Sequence, residues 1–93
     1  MQRNAIRLTI SGRVQGVGYR AWAMLEAERL QLDGWVRNRR EGTVELLAIG
    51  PEAAIEQLAR ACLVGPPGAS VSEIQRAAAE DDGSIGFRHQ PTG

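Results

Sequence analysis

The chain has 93 residues, enough for one domain with a core several elements deep and too few for a second catalytic domain. Eleven basic residues balance eleven acidic ones. That excludes an overall field drawing the protein to nucleic acid or to an anionic membrane, so any bound anion must be captured locally. All the basic residues are arginine, which suits planar, bidentate contacts to phosphate or carboxylate, although a GC-rich genome explains the same bias. The lone Cys62 cannot form an internal disulfide, and a cytoplasmic home is expected. Met1-Gln2-Arg3-Asn4 has no apolar region behind its charge, and no stretch approaches the roughly 20 apolar residues of a membrane span. The reading is therefore a soluble, unexported protein of one domain over residues 1–93.

Taken in chain order, Ile6, Leu8 and Ile10 alternate with Arg7, Thr9 and Ser11, the period of a strand with one buried face, ending at Gly12. Arg20 to Leu32 lacks Gly and Pro, is rich in Ala, Leu, Met and Glu, and reads as a helix stopped near Asp33-Gly34. Trp35–Asn38 and Thr43–Ile49 flank the turn Arg39-Arg40-Glu41-Gly42 and are expected to pair antiparallel. Gly50-Pro51-Glu52 opens a second helix with Ile55, Leu58 and Cys62 as its buried stripe, and Gly65-Pro66-Pro67-Gly68 ends it. Val71–Ala79 reads as a fourth strand whose Ala77-Ala78-Ala79 end is weak β material where a bulge or fraying is expected. Phe87-Arg88-His89 adds a short edge strand. The order β-α-β-β-α-β plus that addition predicts an α+β class fold, the ferredoxin-like split βαβ sandwich, with an antiparallel sheet and two helices on one face.

The segment Gly12-Arg13-Val14-Gln15-Gly16-Val17-Gly18-Tyr19-Arg20 joins the first strand to the first helix. Glycines there let successive backbone N–H groups converge, the helix N-terminus adds partial positive charge, and Arg20 adds a full one, so the loop suits a small dianion. At about 4 Å and an effective dielectric near 20, one such charge pair is worth roughly 4 kcal/mol before desolvation. The loop alone also fits a tight turn with no ligand. Gly16-Val17-Gly18-Tyr19-Arg20-Ala21 matches the dinucleotide pattern G-x-G-x-x-G/A, but the strand at Trp35 returns through a four-residue turn where a dinucleotide fold needs a parallel crossover. A P-loop is excluded because the chain has no lysine.

Gly12, Val14, Gln15, Gly16, Val17, Tyr19 and Arg20 meet the fixed positions of G-x-V-Q-G-V-x-[FY]-R, and Gly34-Trp35-Val36-Arg37-Asn38 with Gly42, Val44 and Gly50 meets a second pattern. On these two motifs the chain, from about Ile6 to Phe87, resembles the acylphosphatase family. Gln31, where similar proteins often place Gly, and Ala77-Ala78-Ala79 are modest departures. The resemblance implies hydrolysis of acyl phosphates to a carboxylate and inorganic phosphate. It implies that Arg20 and the N–H groups of Gln15, Gly16, Val17, Gly18 and Tyr19 hold the phosphoryl group. Asn38 would then orient the attacking water, with no metal and no cofactor.

The remaining residues of interest have plainer expectations. Without the motif, Asn38 reads as a turn or strand-end residue satisfying the backbone. Arg37 and Arg39 face away from Asn38 and are expected to be solvated or at the rim. Trp22 and Trp35 are expected to pack, Cys62 to be a buried small hydrophobe, and His89, without metal-ligand spacing to any Cys, Asp or Glu, to be structural or exposed. The competing class is a phosphate-binding module without catalysis. Two Trp, one Tyr and one Phe are too few to stack nucleic-acid bases on such a sheet, so no nucleic-acid partner is expected. No exposed apolar helix face stands out, and a monomer is the default.

Overall fold

The structure is a computed structural model, and it describes residues 3–93. Its elements are β1 (Asn4–Arg13), α1 (Tyr19–Arg29), β2 (Asp33–Asn38), β3 (Val44–Gly50), α2 (Glu52–Val64), β4 (Ser70–Ala78) and β5 (Phe87–His89). The five strands form one sheet in the order β4-β1-β3-β2-β5. This is the split βαβ arrangement expected from the element order, with boundaries shifted by one to three residues. The first helix stops at Arg29 and not at Leu32 because the chain turns there. Gln31 adopts φ 58°, its N–H reaches Glu28 O at 3.0 Å, and Leu32 N–H reaches Ala27 O at 2.9 Å. That is a Schellman closure built on a non-glycine residue.

The register places the apolar positions in rows across the buried face. Leu8 pairs with Leu46, which pairs with Val36, and Ile10 pairs with Val44, which pairs with Asn38. Against these rows pack Ala23 and Ala27 of α1 and Ile55, Leu58 and Cys62 of α2, all buried. The stripe expected on α2 is therefore the face that closes the core.

Two features of the sheet differ from expectation. β5 runs parallel to β2, so the sheet is mixed and not wholly antiparallel. The connection is short: crossing four strand spacings is about 19 Å, and residues 79–86 cover it by traversing the end of the sheet where β4 finishes. β5 starts at that end, beside the start of β2, and Gly34 N–H donates to Gly86 O at 3.0 Å there. The exposed side chain of Arg3 clasps this crossover, bonding Asp81 at 2.7 Å and Asp33 at 2.8 Å. The irregularity expected at Ala77–Ala79 is instead at the other end of β4, where the β1–β4 register shifts between Ser11 and Gly12. Pairing with β1 carries the alanines in regular register through Ala78.

Candidate active site

The register already puts one functional side chain on the buried face. Asn38 shares with Val44 and Ile10 the last paired row of β1 and β3, and its amide lies at a cavity lined by the glycine-rich loop and the start of α1. Its Oδ1 is buried and, among the described residues, has no hydrogen-bond partner. A buried carbonyl oxygen left unpaired costs on the order of 1–3 kcal/mol, which makes it a candidate acceptor for something outside the protein.

The loop opposite is shaped by two left-handed glycines, Gly16 at φ 76° and Gly18 at φ 78°. Side chains rarely adopt this region, which is why glycine is required at both positions. Gly18 is the N-cap of α1, with no side chain capping the helix. The first helical bond is Trp22 N–H to Gly18 O at 3.1 Å, and among the described residues no N–H group from Gln15 to Arg20 donates to a protein acceptor. The loop thus presents a row of unpaired donors at the positive end of a helix.

These parts enclose one cavity of about 160 Å³, lined by Val14, Gly16, Gly18, Tyr19, Arg20, Ala21, Asn38 and His89. Among the described residues Arg20 has no carboxylate partner within ion-pair distance, and no carboxylate lines the cavity. A larger groove of about 280 Å³ lies between α2 and β4; of its three charges Arg76 and Glu56 pair with each other and Arg60 is left over, and among the described residues no buried, orphaned polar atom faces it.

Of the residues singled out in the sequence, Gly16, Gly18, Tyr19, Arg20 and Asn38 meet at the cavity, while the side chains of Gln15 and Val17 turn away. Gln15 Nε2 donates to Arg39 O at 2.8 Å and Thr43 O at 2.9 Å, stapling the loop to the β2–β3 turn that follows Asn38. Val17 packs against the core. Tyr19 contributes its backbone position only, because its ring is buried and its hydroxyl donates to Cys62 O at 2.6 Å, tying the start of α1 to the last turn of α2. Burial first, then the neighbouring Cys62, holds this phenol well above its ordinary pKa. The Cys62 thiol is pushed up to about 11, chiefly by burial, so it is no nucleophile at neutral pH.

Arg37 and Arg39 do lie on the opposite face from Asn38, but they are not simply solvated. They gather round the nearly buried Glu45, at 2.8 Å and 3.3 Å, and the Arg37 guanidinium also sits 5.1 Å from the Trp35 ring centroid. Trp22 packs partly buried, edge-on to Tyr19 with centroids 5.3 Å apart. His89 is exposed, as one of its two expectations had it, yet it lines the cavity. Sequence reasoning missed that position. The only signal was its spacing two residues beyond the buried Phe87, which puts both on one face, and the strand that β5 would join was not readable.

Fold and site together define a ferredoxin-like α+β sandwich carrying a cationic, donor-lined cavity at a helix N-terminus, facing an unsatisfied amide. The acylphosphatase family model matches residues 6–89. An acylphosphatase of Acidiphilium cryptum is 51% identical over 89 residues, covering 96% of this chain and 98% of its own. The crystal structure of acylphosphatase from Bacillus subtilis superposes with a TM-score of 0.91 at 37% identity, covering 96% of this chain and 99% of that one. Full-length HypF, in a phosphate- and nucleotide-bound form, matches with a TM-score of 0.90 at 29% identity, over 98% of this chain but 12% of its own. The chain belongs to the acylphosphatase family. It is an enzyme, a hydrolase acting on the acid-anhydride bond of acyl phosphates with inorganic phosphate as a product.

Proposed function

We propose that the chain acts as a single domain in which water attacks the phosphorus of a bound acyl phosphate directly, with Arg20 and the N–H groups of residues 15–19 holding the phosphoryl oxygens and Asn38 orienting the water. The observation that carries this reading is the buried, unpartnered Asn38 Oδ1 in the same cavity as Arg20 and the open helix start. The chemistry asks for little more. An acyl phosphate is a mixed anhydride whose carboxylate leaves as a weak base, so no general acid is needed for its departure. Catalysis then rests on positioning and on stabilising charge at the phosphoryl oxygens. Asn38 Oδ1 accepts a hydrogen bond from the water and its amide nitrogen can donate to a phosphoryl oxygen. The substrate's own phosphoryl oxygen receives the water's proton.

Metal independence belongs to this proposal: among the described residues no three His, Cys, Asp or Glu side chains group to hold an ion. So do action as a monomer, a cytoplasmic location, and the absence of nucleic-acid and membrane partners. Zero net charge and the small number of aromatics support the last two, and no described helix is long and apolar enough to cross a membrane. Release of phosphate from a synthetic aryl acyl phosphate, before and after exhaustive chelation, tests the reading. Turnover unchanged by chelator is expected. Turnover restored only by added Mg²⁺ or Zn²⁺ overturns the mechanism, and a protein that binds phosphate but hydrolyses nothing is a binding module.

A further inference from the structure

Among the described residues, His89 is the one side chain at the cavity, besides Arg20 and Asn38, that carries a hydrogen-bond donor free to meet a ligand. Its placement follows from the parallel pairing of β5. His89 stands opposite Val36, two residues before Asn38 on the adjacent strand, and shares the buried face of the sheet with Phe87. Phe87 is buried in the core, but β5 ends at His89, which lines the cavity with Tyr19, Arg20 and Ala21 of the first turn of α1, so the imidazole emerges exposed at the cavity rim. Arg20 faces it from α1 and Asn38 from β2, and no carboxylate lines the cavity to compete for it. Arg88, its neighbour, is paired in register with Trp35 and points to the opposite face.

From this geometry we propose that His89 is an additional substrate-contacting residue, whose imidazole N–H donates to a phosphoryl oxygen from the open side of the cavity while Arg20 and the loop hold it from the helix side. The inference rests on the phosphoryl placement given above. An imidazole N–H donates whether the ring is neutral or charged, and an exposed group at a rim tolerates replacement without loss of fold.

The test is a charge series at this position, read by calorimetric binding of inorganic phosphate as well as by kinetics, so that it remains informative even without turnover. His89→Glu should weaken phosphate binding by on the order of tenfold or more, His89→Ala by a few-fold, and His89→Arg should bind as well as wild type or better. KM for an aryl acyl phosphate should follow the same order. Arg88→Glu, an equal or larger change of charge one residue away on the other face, should alter binding less than threefold. The proposal is overturned if His89→Glu, shown folded by its melting transition, changes phosphate affinity less than twofold. It is equally overturned if Arg88→Glu matches that loss, which marks a diffuse field, or if KM moves while phosphate affinity does not, which marks an acyl contact. A wild type that binds phosphate in this pattern yet hydrolyses no acyl phosphate refutes the catalytic reading and leaves His89 in place.

Discussion

Replacing Asn38 by Ala should separate the cost of this residue to the fold from its use in the reaction. In the free protein Asn38 Oδ1 is buried without a partner. Deleting it relieves a desolvation penalty of about 1–3 kcal/mol. Against this stands the lost packing of the carboxamide beside Val44 and the small void it leaves, on the order of 1 kcal/mol. The difference leaves the variant as stable as wild type or more stable by up to roughly 2 kcal/mol. For a domain of this size 1 kcal/mol is about 4–8 °C in the midpoint, well within the resolution of a thermal scan. Turnover should fall by on the order of a hundredfold, the loss typical of removing one preorganised polar group, while phosphate affinity stays within a few-fold. Asn38→Asp should be as slow and should also bind phosphate more weakly, since its charge faces the phosphoryl oxygens. The measurements are a melting curve, phosphate calorimetry and single-substrate kinetics. A midpoint lowered by more than about 8 °C would show that the asparagine is a structural element, and unimpaired turnover would remove it from the mechanism.

Other outcomes are equally direct. Arg20→Lys keeps the charge but loses the planar fork, so phosphate inhibition and turnover should both weaken more than tenfold; wild-type inhibition would exclude the role given to Arg20. Gln15→Ala deletes two hydrogen bonds to Arg39 O and Thr43 O; it should cost about 1–3 kcal/mol in denaturant unfolding and reduce turnover more than phosphate affinity, because the staple joins the loop to the turn after Asn38. Gln31→Gly removes a side chain from a left-handed position at φ 58° and should raise stability by about 1 kcal/mol; a lower melting midpoint would contradict the Schellman assignment. Burial raises Cys62 from 9.0 to about 11 and moves Tyr19 in the same direction. The unfolded chain therefore releases these protons first, and stability is full below pH 9 and falls as pH rises toward 11, by roughly 2–3 kcal/mol for the thiol. Chemical denaturation across that window checks the slope, which Cys62→Ala should make shallower.

Local chemistry in the chain was sufficient for much of this protein. Period-two alternation in Ile6–Ile10, the turn Arg39–Gly42 and the stripe Ile55, Leu58, Cys62 specify strand, hairpin and helix because each depends on neighbours within a few residues. The loop from Gly12 to Arg20 was legible for the same reason: left-handed glycines followed by an uncapped helix start are a short-range arrangement. Tertiary structure decided what depends on which strand lies beside which. Row alignment across β1, β3 and β2 determined that Asn38 has an orphaned oxygen facing the loop, and pairing at the open edge of β2 determined that β5 runs parallel to it. That pairing carries His89 to the cavity rim, and the clustering of Arg37 and Arg39 on Glu45 keeps those two cations occupied on the other face. Periodicity tells a side chain which face to take, but only the assembled sheet tells it what stands opposite.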